Sequence, residues 1–332
     1  MILMIFKRVN WKLWLGIFIS LIALIIVFHR VEWDKLSNAL LQVNLGFVLL
    51  GIFSLTCELI IRAVRWRVLL YPLGKFHLKD CFIFYMIGYM SNLLLPFRAG
   101  EIIRPYLFGQ KKGIAKSAVL ATVVVERLFD IISLLLVFTI VATVMVIPPE
   151  MQQSVYVVEG VAIVMLMVLW LMLLEHKKSN RVANLLSRFP VIGVKLKSWF
   201  ISATTGFSTL HNIRAILATL LISWVIWATE LFVIQSYLLA FGLELPWYTP
   251  LFIIVVTSLG MMIPSSPGYI GVIHFLYVFS LSFFGVDKNI ALAFAIVIHG
   301  ISFAVIILVG LISIWFENLS FSRITALTPT DK

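Results

Sequence analysis

Long apolar runs separated by short clusters of charge set the pattern of this chain. Six runs have helical length: Leu13–Phe28, Leu45–Ile61, Ser117–Ile147, Val155–Leu174, Ile213–Phe241 and Ile290–Phe316. A helix crosses ~30 Å of hydrocarbon with about 20 residues, and the third, fifth and sixth runs are long enough to tilt or project beyond it. Two further regions are apolar but broken. Cys81–Leu95 stops at Pro96, and Leu251–Phe284 is interrupted by Ile263-Pro264-Ser265-Ser266-Pro267-Gly268. Val31–Asn44 and Ser179–His211 mix apolar, charged and aromatic residues, as helices lying in a membrane interface do. The pattern predicts an all-α, polytopic transmembrane helical bundle over residues 1–324 and a disordered tail over 325–332.

Lys and Arg in short loops set the sidedness of such a bundle. The first end (Lys7, Arg8, Lys12), the stretch after the second run (Arg62, Arg65, Arg67, Lys75, Lys79), the Lys111-Lys112-Lys116 segment and the Lys177–Lys197 stretch all read as cytoplasmic. Pro148–Ser154 and Leu243–Pro250 carry no Lys or Arg and read as external. Both termini are then cytoplasmic. Cys81–Phe108 begins and ends inside, and Leu251–Phe284 begins and ends outside, so each becomes a re-entrant or broken-helix hairpin, or a pair of short spans, entering from opposite faces. Non-helical backbone at that depth is tolerated where protein or a water-filled cavity surrounds it. The apolar run after Lys12 has no small-x-small cleavage site behind it and reads as an uncleaved first span.

Composition agrees. Of 332 residues, 62% are hydrophobic and only 12% charged, about half the charge share of a soluble domain. The 26 Lys and Arg against 15 Asp and Glu could suggest nucleic acid. They fall in loops between apolar runs, however, which suits anionic lipid headgroups at the cytoplasmic face instead. Cys57 and Cys81 and the scattered His offer no disulfide or metal spacing, so neither metal nor cofactor is expected. No Gly-x-x-x-x-Gly-Lys loop points to ATP, and no Gly-x-Ser-x-Gly arrangement supports a nucleophile. The Trp residues, such as Trp11, Trp14, Trp247 and Trp315, stand where interfacial anchors belong.

The two broken regions resemble one another. Leu94-Leu95-Pro96-Phe97-Arg98-Ala99-Gly100-Glu101 lies on Met262-Ile263-Pro264-Ser265-Ser266-Pro267-Gly268-Tyr269 with Pro and Gly at one common offset, and Thr56-Cys57-Glu58-Leu59 echoes Ala228-Thr229-Glu230-Leu231. With the sidedness above, the halves about 1–147 and 155–318 form an inverted repeat, the device by which transporters build a midplane site from broken helices. Pro96, Gly100, Pro264, Pro267 and Gly268 are then hairpin tips, with the two glycines permitting close approach or φ > 0.

Ionisable groups at membrane depth mark candidate sites. Glu58 and Arg62 are one turn apart and can neutralise each other, as can Arg127 and Asp130, with Glu126 on the same face as Asp130. Glu230 has no counter-ion within a turn. Arg98 and Arg104 flank the first tip and suit a phosphate; anchoring to the inner leaflet is the alternative. Ser265, Ser266 and His274 lie at the second tip.

These motifs, Pro96-Phe97-Arg98-Ala99-Gly100-Glu101 with Arg104, Glu126-Arg127-Leu128-Phe129-Asp130, and Pro264-Ser265-Ser266-Pro267-Gly268-Tyr269-Ile270-Gly271, resemble the membrane domain of lysylphosphatidylglycerol synthases over nearly the whole chain. The resemblance implies a stand-alone, flippase-like member that moves a phospholipid or other phosphate-bearing lipid between leaflets. It implies a substrate path lined by Arg98, Glu101, Arg104, Glu126, Arg127, Asp130, Glu230, Ser265, Ser266 and His274. His274 stands where relatives often place an acid. Synthase activity is not expected, because no cytosolic transferase domain follows. The alternatives are a membrane-embedded lipid or polyprenyl-phosphate transferase, using Glu101, Glu126 or Asp130 as base, or an accessory subunit; a homo-oligomer is left open.

Overall fold

The computed structural model describes residues 11–145, 160, 212–262 and 265–319. The Val155–Leu174 run, the Ser179–His211 segment, Pro264 and the 325–332 tail lie outside them. Ten helices account for most of the described chain: α1 Trp11–Phe28, α2 Trp33–Leu41, α3 Leu45–Leu69, α4 Leu78–Leu94, α5 Gly100–Lys112, α6 Lys116–Val144, α7 Ile213–Ala240, α8 Thr249–Gly260, α9 Val272–Ser282 and α10 Lys288–Phe316. Among the described residues there is no strand. Four of the helices, α3, α6, α7 and α10, are long and apolar enough to cross a membrane.

Local chemistry explains the breaks. Between α1 and α2 the chain bends by 91° at left-handed Arg30 (φ 58°). The carbonyls left open at the end of α1 are met by Lys288, whose ammonium donates to Ile26 O at 3.0 Å and His29 O at 2.6 Å. A cation at a helix C-terminus also suits its dipole. On α2, Leu36 is buried against Val27, Leu292 and Ala293, while Trp33 and Leu41 stay exposed. Pro96 ends α4, because it has no N–H to continue the ladder, and a short 3₁₀ turn over Pro96–Arg98 precedes α5.

Two sequence expectations are corrected. Arg62, Arg65 and Arg67 are not loop residues; α3 continues through them to Leu69. The Arg65 side chain is fully buried and paired with Asp130 and Glu126, so the positive charge that read as a loop marker is neutralised inside the bundle. At the first tip, the left-handed residue is Arg98 (φ 51°) rather than Gly100, which opens α5 as a helical residue. At the second tip Gly268 does take φ 72°.

The chain forms two compact units. The first comprises residues up to Glu58, Tyr89–Gly100 and residues from Ala228 onward; the second comprises Leu59–Gly88 and Glu101–Trp227. In the first unit the α8–α9 hairpin closes at its open end through Phe252 against Phe283 and Phe284, with ring centroids 5.4 and 5.7 Å apart. Gly260 lets α8 approach Leu276 of α9 closely, as small residues do at membrane helix contacts. The tip of this hairpin sits on the middle of α1: the Ser266 amide donates to the buried Ser20 hydroxyl at 2.9 Å. Gly271 must be glycine there, since its φ is 92° and a Cβ would fall 2.4 Å from Ser20 O. The two hairpin tips also touch one another, Arg98 Nη2 donating to Met261 O at 3.4 Å.

Helix ends meet in pairs within each unit. In the first unit Asn44 N donates to Ala240 O at 2.9 Å and Glu32 N to Asn289 Oδ1 at 3.0 Å, joining ends assigned to one face. In the second unit Lys112 and Asp80 meet at 2.6 Å, so the α4–α5 hairpin leaves by the face it entered. That unit packs Leu69, Val125 and Phe129 together, with Ile216 and Leu220 against them, beside an aromatic layer in which Phe108 contacts Trp66, Phe76 and Phe84.

Candidate functional site

Within the second unit, three guanidinium groups and three carboxylates converge from α3, α5 and α6. Glu126 is the hub. Its Oε2 accepts from Arg104 Nη2 at 2.8 Å and its Oε1 from Arg127 Nη2 at 3.0 Å, with Arg65 Nη2 at 3.4 Å. Asp130 bridges Arg65 at 2.5 Å and Arg127 at 3.2 Å, and Glu101 stands 3.7 Å from Arg127 Nε. Ser223 of α7 completes the group by accepting from Arg65 Nη1 at 3.0 Å.

The spacing explains the convergence. On α6, Glu126 and Asp130 are one turn apart on a shared face, and Arg127 reaches back to Asp130 at i,i+3. On α5, Glu101 and Arg104 share a face in the same way. Arg104 is also held flat, its guanidinium 4.5 Å from the Trp66 ring centroid and 4.8 Å from that of Tyr85. Trp66 is fixed in turn by donating its indole N–H to Thr122 at 3.1 Å. Stacking of this kind suits arginine, whose planar ion is weakly hydrated.

The cluster is graded in exposure. Arg65 and Glu126 are fully enclosed, whereas the Arg127 and Glu101 side chains are 35% and 27% exposed. Charge is balanced overall, three against three. Its inner part is therefore a closed ion network, and at its outer edge the Arg127 side chain, anchored on Glu126 and Asp130, comes within 3.7 Å of the partly exposed Glu101. A carboxylate such as Glu126, already engaged by three guanidiniums, is poorly suited to act as a general base.

Of the residues singled out from sequence, the structure brings Glu101, Arg104, Glu126, Arg127 and Asp130 together. Arg98, Glu230, Ser265, Ser266 and His274 belong to the first unit. There Ser266 closes the second tip by donating to Ile270 O at 3.1 Å. His274 accepts from the Gly271 amide at 3.4 Å and meets His299 edge-to-face at 5.0 Å. Pro267 and Gly268 form the tip's 3₁₀ turn. Sequence reasoning missed Arg65. Charge balance could have found it: Glu126 and Asp130 outnumber Arg127 on α6, and another helix must supply the missing cation. Among the described residues no group of three His, Cys, Asp or Glu gathers for a metal ion.

The comparisons with known proteins bear on the same residues. The chain is 25% identical to a UPF0104 membrane protein of Methanothermobacter thermautotrophicus, over 92% of this chain and 94% of the relative. It is 27% identical to a UPF0104 membrane protein of Methanocaldococcus jannaschii over 67% of this chain and 91% of that protein. A third relative, named glycosyltransferase AglD, of Haloferax volcanii, is 25% identical over 92% of this chain but only 54% of its own length. The model for the lysylphosphatidylglycerol synthase TM region matches residues 13–310, a stretch that takes in both hairpins and every member of the ion cluster. This multi-pass membrane protein belongs to the lysylphosphatidylglycerol synthase TM region family.

Proposed function

We propose that the chain translocates a phosphate-bearing lipid between leaflets, its headgroup phosphate engaging Arg127 at the outer edge of the ion cluster. The observation that carries this reading is the Arg127 side chain, 35% exposed at the rim of the otherwise enclosed cluster and 3.7 Å from the partly exposed Glu101 carboxylate. A phosphate oxygen can take the place of the Glu101 carboxylate in a charge-assisted contact to Arg127, and that exchange leaves the enclosed network intact. Two hairpins whose tips meet supply irregular backbone where a polar path needs it, with the halves as inverted repeats and Arg98 at the meeting point.

A second reading, in which the chain serves a lipid-linked glycan pathway as a transferase or accessory subunit, takes its support from the glycosyltransferase name of one relative. One experiment separates the two. Purified protein in proteoliposomes is given phospholipids and polyprenyl phosphates labelled in one leaflet, and both the leaflet and the covalent state of the label are followed. Movement without covalent change, lost in Arg127→Ala with the fold retained, supports translocation. Covalent turnover of the label supports the transferase, and movement at the wild-type rate in Arg127→Ala removes the assignment of the site.

A further inference from the structure

Two imidazoles hold the tip of the second hairpin, one from each side. His274 is the third residue of α9, and its Nδ1 accepts from the amide of Gly271, just before the helix, at 3.4 Å. A side chain at that position reaching back to the N-cap amide is one half of a capping box. Gly271 has φ 92° and lies against Ser20 O of α1, so the residue that His274 holds is also the one that seats the tip. From α10, His299 donates a ring N–H to the Gly268 carbonyl in the 3₁₀ turn of the tip. Phe303, one turn along α10, closes over Gly268, where a Cβ would fall 3.0 Å from its Cε2. The two imidazole rings meet edge-to-face with centroids 5.0 Å apart. Both are half-buried, and every residue named belongs to the first unit.

These bonds fix where the hydrogens are. A ring nitrogen that accepts carries no hydrogen, so neutral His274 keeps its own on Nε2. An imidazolium has a hydrogen on both nitrogens and accepts at neither. The bond to Gly271 therefore exists only while His274 is neutral. The α9 helix packs on α1, α8 and α10, and none of these four helices contains an Asp or Glu. The α8 helix has no ionisable side chain, and α1 has only Lys12, two turns before Ser20. On α10, His299 acts electrostatically on His274, while Lys288 is three turns away and engaged at the end of α1. Tyr277, one turn along α9, has Glu230, Tyr237 and Tyr89 as its electrostatic neighbours. Tyr269 lies in the tip itself, and Arg98 reaches the carbonyl of Met261 before it.

We infer that His274 is an acid-sensitive latch on the second hairpin tip, with His299 as the anchor of its other side. A proton from water forms one N–H bond at His274 Nδ1, and no other covalent bond changes. The Gly271 amide then faces a donor instead of an acceptor, and the tip loses the bond that holds it in its seat on α1. His299 keeps its donation to Gly268 in either state. The closed tip binds one proton fewer than the open one, so closure holds at higher pH and is lost as pH falls. The latch stands whether or not the chain moves a lipid.

Amide hydrogen exchange, read by mass spectrometry on the full chain in lipid nanodiscs and corrected for the intrinsic effect of pH, tests the latch. The expected result is a rise of about fivefold or more in exchange at the peptide carrying Ser266 and Gly271 as pH is taken from neutral into the acid range, the factor that one ordinary hydrogen bond represents. His274→Gln keeps an oxygen that can accept from the Gly271 amide, as Gln does in a capping box, and no longer titrates. In that variant exchange at the tip should be indifferent to pH. His299→Gln, which keeps a donor for Gly268, should retain the acid response. Tip exchange indifferent to pH in the wild type overturns the latch. A response that persists in His274→Gln, or disappears only in His299→Gln, overturns the assignment to His274. Should the His274 variant fail to assemble, the wild-type pattern decides: acid-induced exchange confined to the tip supports the latch, and exchange spread equally over α6 overturns it.

Discussion

Arg65 shows how far one residue's role depends on partners remote in sequence. Its charge reads as a loop marker in isolation, yet Asp130 and Glu126 hold it in the closed interior. Removing one member of an enclosed ion network leaves the rest uncompensated, at about 3–5 kcal/mol. Glu126→Gln should therefore lower thermal stability by an amount of that order, whereas Glu101→Gln at the exposed edge should cost under about 1 kcal/mol. Equal losses in thermal melts would contradict the graded cluster. At the start of α10, Asp287 caps the helix by accepting from the Asn289 amide at 2.8 Å. Partial burial opposes its ionisation, but hydrogen bonds from Asn289 and Ile290 and the nearby Lys35 charge outweigh this and hold the carboxyl below its usual value. Its contribution is therefore full above the ordinary aspartate pKa and is lost as pH falls through the lowered one. Asp287→Ala should cost about 1 kcal/mol at neutral pH, with the difference from wild type narrowing in acid; a difference that grows on acidification would contradict the cap.

At the scale of elements, hydropathy alone located α1, α6, α7 and α10 to within a few residues, because lipid-facing helices need long apolar runs whatever their partners. The breaks at Pro96 and around Gly268 were equally legible, since proline removes a donor and glycine admits φ > 0. The end of α3 was not, because its last turns carry arginines that only tertiary pairing makes compatible with burial. The left-handed position at Arg98 was hidden for a similar reason: a non-glycine residue there is held by a contact to Met261 from another helix. The seat of the second hairpin on α1 offers the sharpest local test. Gly271→Ala combines a left-handed backbone with a Cβ 2.4 Å from Ser20 O, and strain alone costs about 1–3 kcal/mol. The variant should become more open to protease at the α8–α9 tip, while Gly300→Ala on α10, where a Cβ meets open space on a helical backbone, should stay protected. Similar digestion of both would show that the hairpin does not depend on this seat.

Over the whole molecule, helix ends meet in pairs within each unit. Lys288 joins the ends of α1 to α10, and the Lys112–Asp80 pair closes the α4–α5 hairpin. The Lys/Arg rule expects both termini on the cytoplasmic face. A reporter fused after Lys332 should be active only inside, and a cysteine placed at Met151 should label only from outside; the reverse pattern would invert the bundle. The candidate site was half legible at this scale. Glu101, Arg104, Glu126, Arg127 and Asp130 announced themselves as charges in apolar sequence, but which of the ten candidates share a unit depends on helix packing that no local spacing encodes.

The balanced ion cluster also bears on how the chain is made. Helices reach the bilayer in order of synthesis, and α3 arrives carrying Arg65 long before α6 delivers Asp130 and Glu126. A lone arginine at the centre of a span disfavours insertion by about 2.5–3.5 kcal/mol, and Arg65, four residues from the end of α3, meets a part of that cost. The early helices should therefore linger beside the insertion machinery until α6 emerges and then partition into lipid as one group. Nascent chains arrested before Lys116 should leave α3 extractable by alkali, and chains arrested beyond Val144 should retain it. With Glu126 and Asp130 replaced by Gln and Asn, that late step should fail even though every span is still present.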